Sequence, residues 1–191
     1  MLRADHQTAG RGRLDRRWDA PAGANLLVSI LFRAPIEPAE LVRRVGLAVV
    51  LAARDACGVD AALKWPNDVL VDGRKAAGVL AQQAPNGAVV VGAGVNLGWA
   101  PDGAARLGDV DPDGFLLTVL DAFDALPDDV SELYRASLAT LGRRVRVERP
   151  TDAIVGTAID VDAHGRLVVL DECAISHHIE AGDVIHLRPA P

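Results

Sequence analysis

The chain has 191 residues, of which 50% are hydrophobic and 24% are charged, and its formal net charge is −6. This composition is typical of a globular protein and argues against a disordered chain or a general nucleic-acid-binding protein, which usually has a basic surface. We find no apolar run long enough to span a membrane, and we expect a cytoplasmic protein that binds neither membranes nor nucleic acid. The two cysteines, Cys57 and Cys173, are too few for a disulfide framework, and we expect both to be buried thiols.

A short basic segment, QTAGRGRLDRRW, occupies residues 7–18. Its glycines allow successive backbone N–H groups to face one anion, and arginine side chains bind phosphate or carboxylate in a bidentate manner. We interpret this segment as an anion-binding loop. Composition alone leaves two alternatives, a solvated basic loop and, with weaker support, an RNA-binding arginine–glycine segment. The arginines of the segment are Arg11, Arg13, Arg16 and Arg17.

The next elements predict a strand followed by a helix. Residues 24–33 form an apolar run rich in branched side chains, which predicts a buried strand. Residues 38–57 carry apolar side chains at helical spacing. Pro38 at the start and Gly58 after the end are typical helix boundaries, so we expect a helix over this range.

Residues 64–79, with the sequence KWPNDVLVDGRKAAGV, predict a hairpin that turns at residues 72–73. The hairpin contains both lysines of the chain, Lys64 and Lys75, and it would bring Lys75 back towards the turn after Lys64. Gly78 would allow a ligand to approach the returning strand closely. We interpret this region as part of a pocket, and the alternative is a plain hairpin with an exposed Lys75.

The remaining sequence predicts one more strand, two helices and a small β domain. Residues 88–99 continue the hairpin order, so we expect an antiparallel central sheet. Residues 112–126 and 128–140 predict two helices. Short strands separated by turns follow, and they predict a small β-barrel over residues 142–191, with a domain boundary near residue 141.

Four motifs, in this order, resemble the catalytic domain of biotin–protein ligases: GRGRLDRRW, KWPND, KAAG and GAGVN, all within residues 4–99. GAGVN by itself is weak, because it lacks the strand–turn–helix setting of a dinucleotide-binding fingerprint. Together the motifs are specific. The resemblance implies an α+β fold, with a class II aminoacyl-tRNA synthetase-like catalytic domain over residues 1–141 that contains a mixed, largely antiparallel sheet. It implies a small SH3-like β-barrel over residues 142–191.

The resemblance also implies an activity. Biotin and ATP would form biotinyl-5′-adenylate, and the biotin would then pass to a lysine of a biotin carboxyl carrier protein. Biotin and ATP are the implied substrates, Mg²⁺ would accompany the ATP, and no metal site of the protein's own is expected. A homodimer is consistent with the resemblance, and we expect no DNA-binding domain.

The resemblance assigns roles to individual residues. The catalytic positions are matched by Lys75, Arg11 and Arg13, with Lys75 as the first choice. The biotin-binding positions are matched by Gln7, Gly10, Arg11, Gly12, Arg13, Lys75 and Gly78. The ATP-binding positions are matched by Arg13, Arg16, Trp18, Lys64, Asn67, Asn96 and Arg188. Asp68 matches a motif position that we assign to the architecture of the site.

The chain departs from the family pattern at two places. The family has glycine where this chain has Asp15, which adds negative charge to the anion-binding loop. Family members carry a strand and a helix before the loop, whereas here the loop begins at Gln7, so we expect a clipped chain or an incomplete pocket. These departures keep open a second hypothesis, an impaired ligand- or partner-binding remnant of the family. A third, the related lipoate–protein ligase, shares the fold.

Overall fold

A computed structural model describes residues 1–13, 16–33, 36–149 and 152–187. These residues form two β-sheets and three α-helices, which confirms the predicted α+β class. The strands of the first sheet are β1 (Leu2–Arg3), β2 (Leu26–Phe32), β3 (Ala62–Lys64), β4 (Asp68–Val71), β5 (Arg74–Gln83) and β6 (Val89–Val95). The strands of the second sheet are β7 (Arg144–Glu148), β8 (Ala153–Val161), β9 (Leu167–Asp171), β10 (Ser176–Ile179) and β11 (Asp183–His186). The helices are α1 (Pro38–Cys57), α2 (Pro112–Asp124) and α3 (Ser131–Ser137).

The first sheet has the strand order β1-β2-β6-β5-β4-β3, and every neighbouring pair is antiparallel. The hairpins that join β4, β5 and β6 confirm the antiparallel order expected from the sequence. The register between β4 and β5 shifts between Val69 and Leu70. On either side of this shift Lys75 pairs with Leu70 and Gly78 pairs with Asp68, so the irregularity determines which side chains meet at this edge.

Helix α1 covers one face of this sheet, where it packs against β5, β6 and helix α2. Its bounds agree with the predicted ones, because Pro38 lies in the first turn and Gly58 ends the helix at a left-handed φ of 64°. The apolar stripe of α1 is buried, and each fully buried aliphatic side chain stabilises the fold by roughly 1.5–3 kcal/mol. The two helices expected after residue 111 are confirmed as α2 and α3, with shorter bounds.

The second sheet has the order β10-β9-β8-β7-β11 and is antiparallel throughout. Within the described part of residues 142–191, no pairing joins β10 to β11, so the hydrogen-bonded strands form an open sheet and not the closed barrel expected from the sequence. Each of these end strands has only four residues and pairs with a single neighbour, so no backbone hydrogen bonds between them close the sheet.

The segment between the two sheets runs along β3. Leu138 forms a parallel bridge with Leu63, and the Ala139 N–H donates to the Leu63 carbonyl at 2.8 Å. Cys57 is half-buried, but Cys173 is exposed in the turn after β9, so the expectation of two buried thiols is wrong. Among the described residues, no helix is both long and apolar enough to cross a bilayer.

Candidate active site

A cavity of about 510 Å³ lies over β5 and β6 of the first sheet. Side chains alternate between the two faces of a strand. Ala77 and Val91 belong to the core that α1 covers, whereas Gly78 and Gly92 line the cavity. The glycines leave room for a ligand against the backbone of the sheet. The predicted residues that line this cavity are Gln7, Arg11, Gly12, Arg13, Arg16, Trp18, Asn67, Lys75 and Gly78.

Lys75 and Asp68 form an ion pair at the wall of the cavity. The Lys75 Nζ atom lies 2.6 Å from Asp68 Oδ1, and the lysine side chain is 41% exposed. A Cβ atom on Gly78 would lie only 3.2 Å from Lys75 Nζ, so the glycine gives the lysine space to extend across its own strand. The hairpin therefore brings Lys75 to the turn that follows β3, as the sequence predicts.

The arginine-rich part of the anion-binding loop, which we call the arginine loop, has two described arms, residues 10–13 and 16–18, that approach each other. The Gly12 N–H donates to the Arg16 carbonyl at 2.6 Å, and the Trp18 N–H donates to the Gly10 carbonyl at 3.1 Å. A Cβ atom on Gly10 would overlap the Trp18 carbonyl oxygen, so only glycine permits this approach of the two arms. The arms hold the loop across the mouth of the cavity.

Arg13 and Arg16 connect this loop to two other parts of the molecule. The Arg13 guanidinium donates to Asn67 Oδ1 at 3.3 Å and to the Gly182 carbonyl at 3.1 Å. Arg16 forms an ion pair with Asp183. Burial lowers the pKa of Arg13 from its ordinary value, and the carboxylates of Asp183 and Asp68 oppose that shift. The loop is thus held between the turn after β3 and the second sheet.

The Trp18 indole lies inside the cavity, on the backbone of the glycine strands. A Cβ atom on Gly94 would lie 2.5 Å from Trp18 Cε2, and one on Gly78 would lie 3.4 Å from Trp18 Cζ3. Lys75 Nζ is 5.6 Å from the centre of the indole ring, within the range of a cation–π contact. The buried Trp18 Nε1–H has no hydrogen-bond partner among the described residues. The ring can therefore donate a hydrogen bond to a ligand.

Two predicted ATP-binding residues, Asn96 and Lys64, do not line the cavity. Asn96 is 2% exposed, and its side-chain amide donates to the Ala105 carbonyl at 3.0 Å and lies 3.4 Å from the Asn25 amide. This network holds the loop after β6 in place. Lys64 lies beside His186 of the second sheet, where its charge contributes to a lowered pKa of that histidine. For both residues a role in ATP binding stays a prediction.

Three further residues discussed from the sequence lie outside the cavity lining or outside the described residues. Gly10 is buried at the base of the loop, outside the cavity lining. Asp15 and Arg188 lie outside the described residues. Asp183 is a further residue of the site that the motifs did not indicate, and it lines the cavity and pairs with Arg16. The dipeptide Gly182–Asp183 is typical of a turn, and such a local pattern carries no information on which loop the residue will contact.

The arrangement is suited to binding anions. Arginine and lysine side chains outnumber the two carboxylates that line the cavity, Asp68 and Asp183, and both carboxylates are engaged by cations of the site. Guanidinium groups bind carboxylate or phosphate oxygens through paired hydrogen bonds. Among the described residues, no group of three histidine, cysteine, aspartate or glutamate side chains is placed to hold a metal ion. The site can therefore hold two anionic groups close together by fixed positive charges.

This chain matches two known protein families. Residues 3–98 match the biotin/lipoate A/B protein ligase family, and residues 140–187 match the biotin protein ligase C-terminal domain. The biotin–[acetyl-CoA-carboxylase] ligase of Mycobacterium tuberculosis is 37% identical over 220 aligned residues, which cover 98% of this chain and 79% of that protein. The corresponding ligase of Paracoccus denitrificans is also 37% identical, over 88% of this chain and 79% of its own length.

Solved structures include similar folds. A biotin protein ligase from Aquifex aeolicus, in complex with biotin and ATP, superposes with a TM-score of 0.85 at 27% sequence identity. The superposition covers 98% of this chain and 88% of that structure. The predicted catalytic fold is confirmed by this likeness, which extends over both sheets.

Proposed function

This chain belongs to the biotin/lipoate A/B protein ligase family, and we infer that it is an ATP-dependent biotin–protein ligase. In the first reaction an oxygen of the biotin carboxylate attacks the α-phosphorus of ATP, biotinyl-5′-adenylate forms, and pyrophosphate leaves. In the second the amine of a carrier-protein lysine attacks the activated carbonyl carbon, AMP leaves, and the amine loses a proton. The similarity to named biotin ligases favours this function over a remnant without activity.

The main support for this function is that the Lys75–Asp68 pair and the Arg13–Asn67 pair line the same cavity. Biotin carboxylate and the ATP phosphates repel each other, so their reaction requires positive charge that is already in position. Positively charged groups held before the substrates arrive stabilise the negative charge of the transition state without further reorganisation. The chain places a lysine and an arginine where both anions can be held.

We propose that Lys75 is the catalytic residue and lies between the biotin carboxylate and the α-phosphate. Its partial exposure leaves the ammonium group accessible to substrate while Asp68 orients it. Arg13 and Arg11, both at the cavity, would neutralise the phosphates and hold the carboxylate in line for attack. The support for Lys75 is its position, because its side chain crosses Gly78 and reaches Asp68 beside the turn after β3.

The remaining lining residues fit the two substrates. Beside the Trp18 ring, Gly92 of β6 leaves space against the sheet for the biotin rings, and Gln7 and Gly12 also line the cavity. Trp18 lines the cavity, and its aromatic face suits stacking on adenine. Both cavity carboxylates are already paired with cations, so Mg²⁺ fits as an ion bound to the ATP phosphates, where it would neutralise phosphate charge.

Several finer points are proposals. The named relatives act on acetyl-CoA carboxylase, and we propose the biotin carboxyl carrier protein of such a carboxylase as the partner. We place the boundary between catalytic and C-terminal domains near residue 141, supported by the second family match, which begins at residue 140. A homodimer and a cytoplasmic location are also proposed, the latter because the reaction consumes ATP and modifies a metabolic enzyme.

The activity is tested by biotin-dependent exchange of pyrophosphate into ATP, followed by transfer of labelled biotin to a purified carrier domain. We expect exchange with biotin and none with lipoate, because the loop and turn motifs match the biotin ligases. Exchange that requires lipoate would identify the related lipoate ligase. If calorimetry detects no binding of biotin, ATP or a biotinyl-adenylate analogue, the protein is the non-catalytic remnant.

A further inference from the structure

The turn that carries Asn67 and Asp68 is held from outside the first sheet, through Trp65. Trp65 is 2% exposed, and both of its N–H groups donate to residues that lie beyond α3 in the chain. The backbone N–H donates to Thr140 Oγ1 at 3.1 Å, and the indole Nε1–H donates to the Gly165 carbonyl at 2.9 Å. The position of this turn therefore depends on the segment between the sheets and on the second sheet.

Thr140 continues this chain of contacts to β11. Its side chain is fully buried, and Oγ1 lies 3.2 Å from His186 Nε2. Because Oγ1 already accepts the Trp65 N–H, its own hydrogen is available to be donated to Nε2 of a neutral imidazole. Burial, with the nearby charges of Lys64 and Arg143, lowers the pKa of His186 to about 4, so the ring is neutral near pH 7. A continuous hydrogen-bonded relay, N–H to hydroxyl to imidazole, then links Trp65 to His186.

The turn at one end of this relay orients both substrate-facing cations. Asn67 accepts from the Arg13 guanidinium at 3.3 Å, and Asp68 lies 2.6 Å from Lys75 Nζ. A small displacement of the turn would move both partners at once. Because transition-state stabilisation by fixed charges depends steeply on geometry, such a displacement affects the chemical step more than the binding of substrate.

We propose that His186, acting through Thr140, is a positioning residue for adenylate formation, because it fixes the turn that carries Asn67 and Asp68. The inference rests on the proposed ligase function. Under this proposal the second sheet contributes to adenylate formation, although His186 contacts neither biotin nor ATP. The strand β11 begins at Asp183, which pairs with Arg16 of the arginine loop, so one short strand contacts the loop directly and is linked to the turn through Thr140.

The first test compares Thr140→Val with Thr140→Ser. Valine keeps the volume but leaves the Trp65 N–H without an acceptor, whereas serine restores the hydroxyl. We expect Thr140→Val to lower kcat of pyrophosphate exchange about tenfold or more, with KM for biotin changed less than about threefold. Thr140→Ser should retain kcat within about threefold of the wild type. The matched control is Ser137→Ala, which removes a hydroxyl that donates to the Leu133 carbonyl of its own helix.

The second test uses His186 and remains informative if Thr140→Val does not fold. His186→Leu removes the acceptor and should lower kcat about tenfold, whereas His186→Gln retains an acceptor and should lose less than about threefold. The double variant with Thr140→Val, where it folds, should lose no more than the worse single variant, because both remove the same relay.

The outcomes separate the inference from the function on which it rests. If Thr140→Val or His186→Leu folds and retains the wild-type kcat, the proposed relay is overturned. It is also overturned if Ser137→Ala loses as much kcat as Thr140→Val. A proportional rise in KM for biotin with kcat unchanged also overturns it, because that result describes altered binding. Absence of exchange in the wild-type protein refutes the proposed ligase function and the inference with it.

Discussion

The Lys75 ammonium lies 2.6 Å from the Asp68 carboxylate, although the two residues lie on neighbouring strands and Asp68 pairs with Gly78 in the sheet. The lysine reaches the carboxylate by crossing the glycine, which has no side chain to prevent it. The pair is partly exposed, so a substrate anion can reach the ammonium group while Asp68 orients it. This geometry presents one positive charge, oriented before a substrate binds, at the wall of the cavity.

Lys75→Ala should abolish most adenylate formation. Removing one oriented donor of positive charge from a transition state commonly raises the barrier by roughly 3–4 kcal/mol, or about a hundredfold to a thousandfold in rate. Biotin-dependent exchange of pyrophosphate into ATP measures this step. The matched control is Arg74→Ala, which removes an exposed cation from the same strand. Equal exchange in Lys75→Ala and the wild type would remove Lys75 from the mechanism.

Asp68→Asn should lower the rate of adenylate formation less than Lys75→Ala does. Asparagine preserves the size of the side chain but no longer holds the ammonium by charge, so we expect kcat to fall about tenfold. Stability should change little, since a partly exposed ion pair contributes about 0–1 kcal/mol. Exchange kinetics and thermal denaturation give the two readouts, with Asp72→Asn in the neighbouring exposed turn as control. An unaltered kcat would mean that Lys75 does not need this carboxylate.

Gly94→Ala should disturb the Trp18 site. The added Cβ atom would lie 2.5 Å from Trp18 Cε2, so the ring must move. Overpacking of this kind costs roughly 1–3 kcal/mol, and we expect a biotinyl-adenylate analogue to bind about tenfold more weakly by calorimetry. Gly114→Ala in the first turn of α2 is the control, because it lies outside the cavity lining and its Cβ atom would approach nothing closer than 3.4 Å. Equal affinity of the two variants would show that the ligand does not use the position of this ring.

His186 should make the free energy of unfolding depend on pH. Its pKa is lowered from 6.5 to about 4 in the folded protein, so between these values the unfolded chain binds a proton that the folded chain does not. The contribution of His186 to the free energy of unfolding is therefore fully present above pH 6.5, and it is lost as the pH falls towards 4.

Urea denaturation at several pH values tests this expectation against His186→Gln, which has no titrating group at the position. The wild-type free energy of unfolding should fall more steeply with acid than that of the variant. The other histidines, among them His177 beside Asp171, are present in both proteins. Their contributions to the free energy of unfolding therefore cancel when the two curves are subtracted. Parallel curves would show that His186 is not shielded from solvent.

The sequence predicted the elements whose signals are local. The bounds of α1 follow from Pro38, Gly58 and the helical spacing between them, and the hairpin of Lys75 follows from its turn residues. The barrel was wrong in detail, since closure depends on pairing between distant strand ends. The sequence did not predict that Asn96 is buried away from the cavity. Its side-chain amide donates to the Ala105 carbonyl, and Ala105 belongs to a loop with no motif of its own.

The sequence by itself determined the family, the order of the motifs and the identity of the charged groups, because these are properties of residue type and spacing. Only the tertiary structure decided which groups meet. Arg13 contacts Gly182, and Trp65 contacts Gly165, at separations of 169 and 100 residues along the chain. Contacts at such separations depend on how the two sheets pack together, and local spacing carries no information about that packing. The anion-binding loop was therefore recognisable in the sequence, whereas its attachment to the second sheet was not.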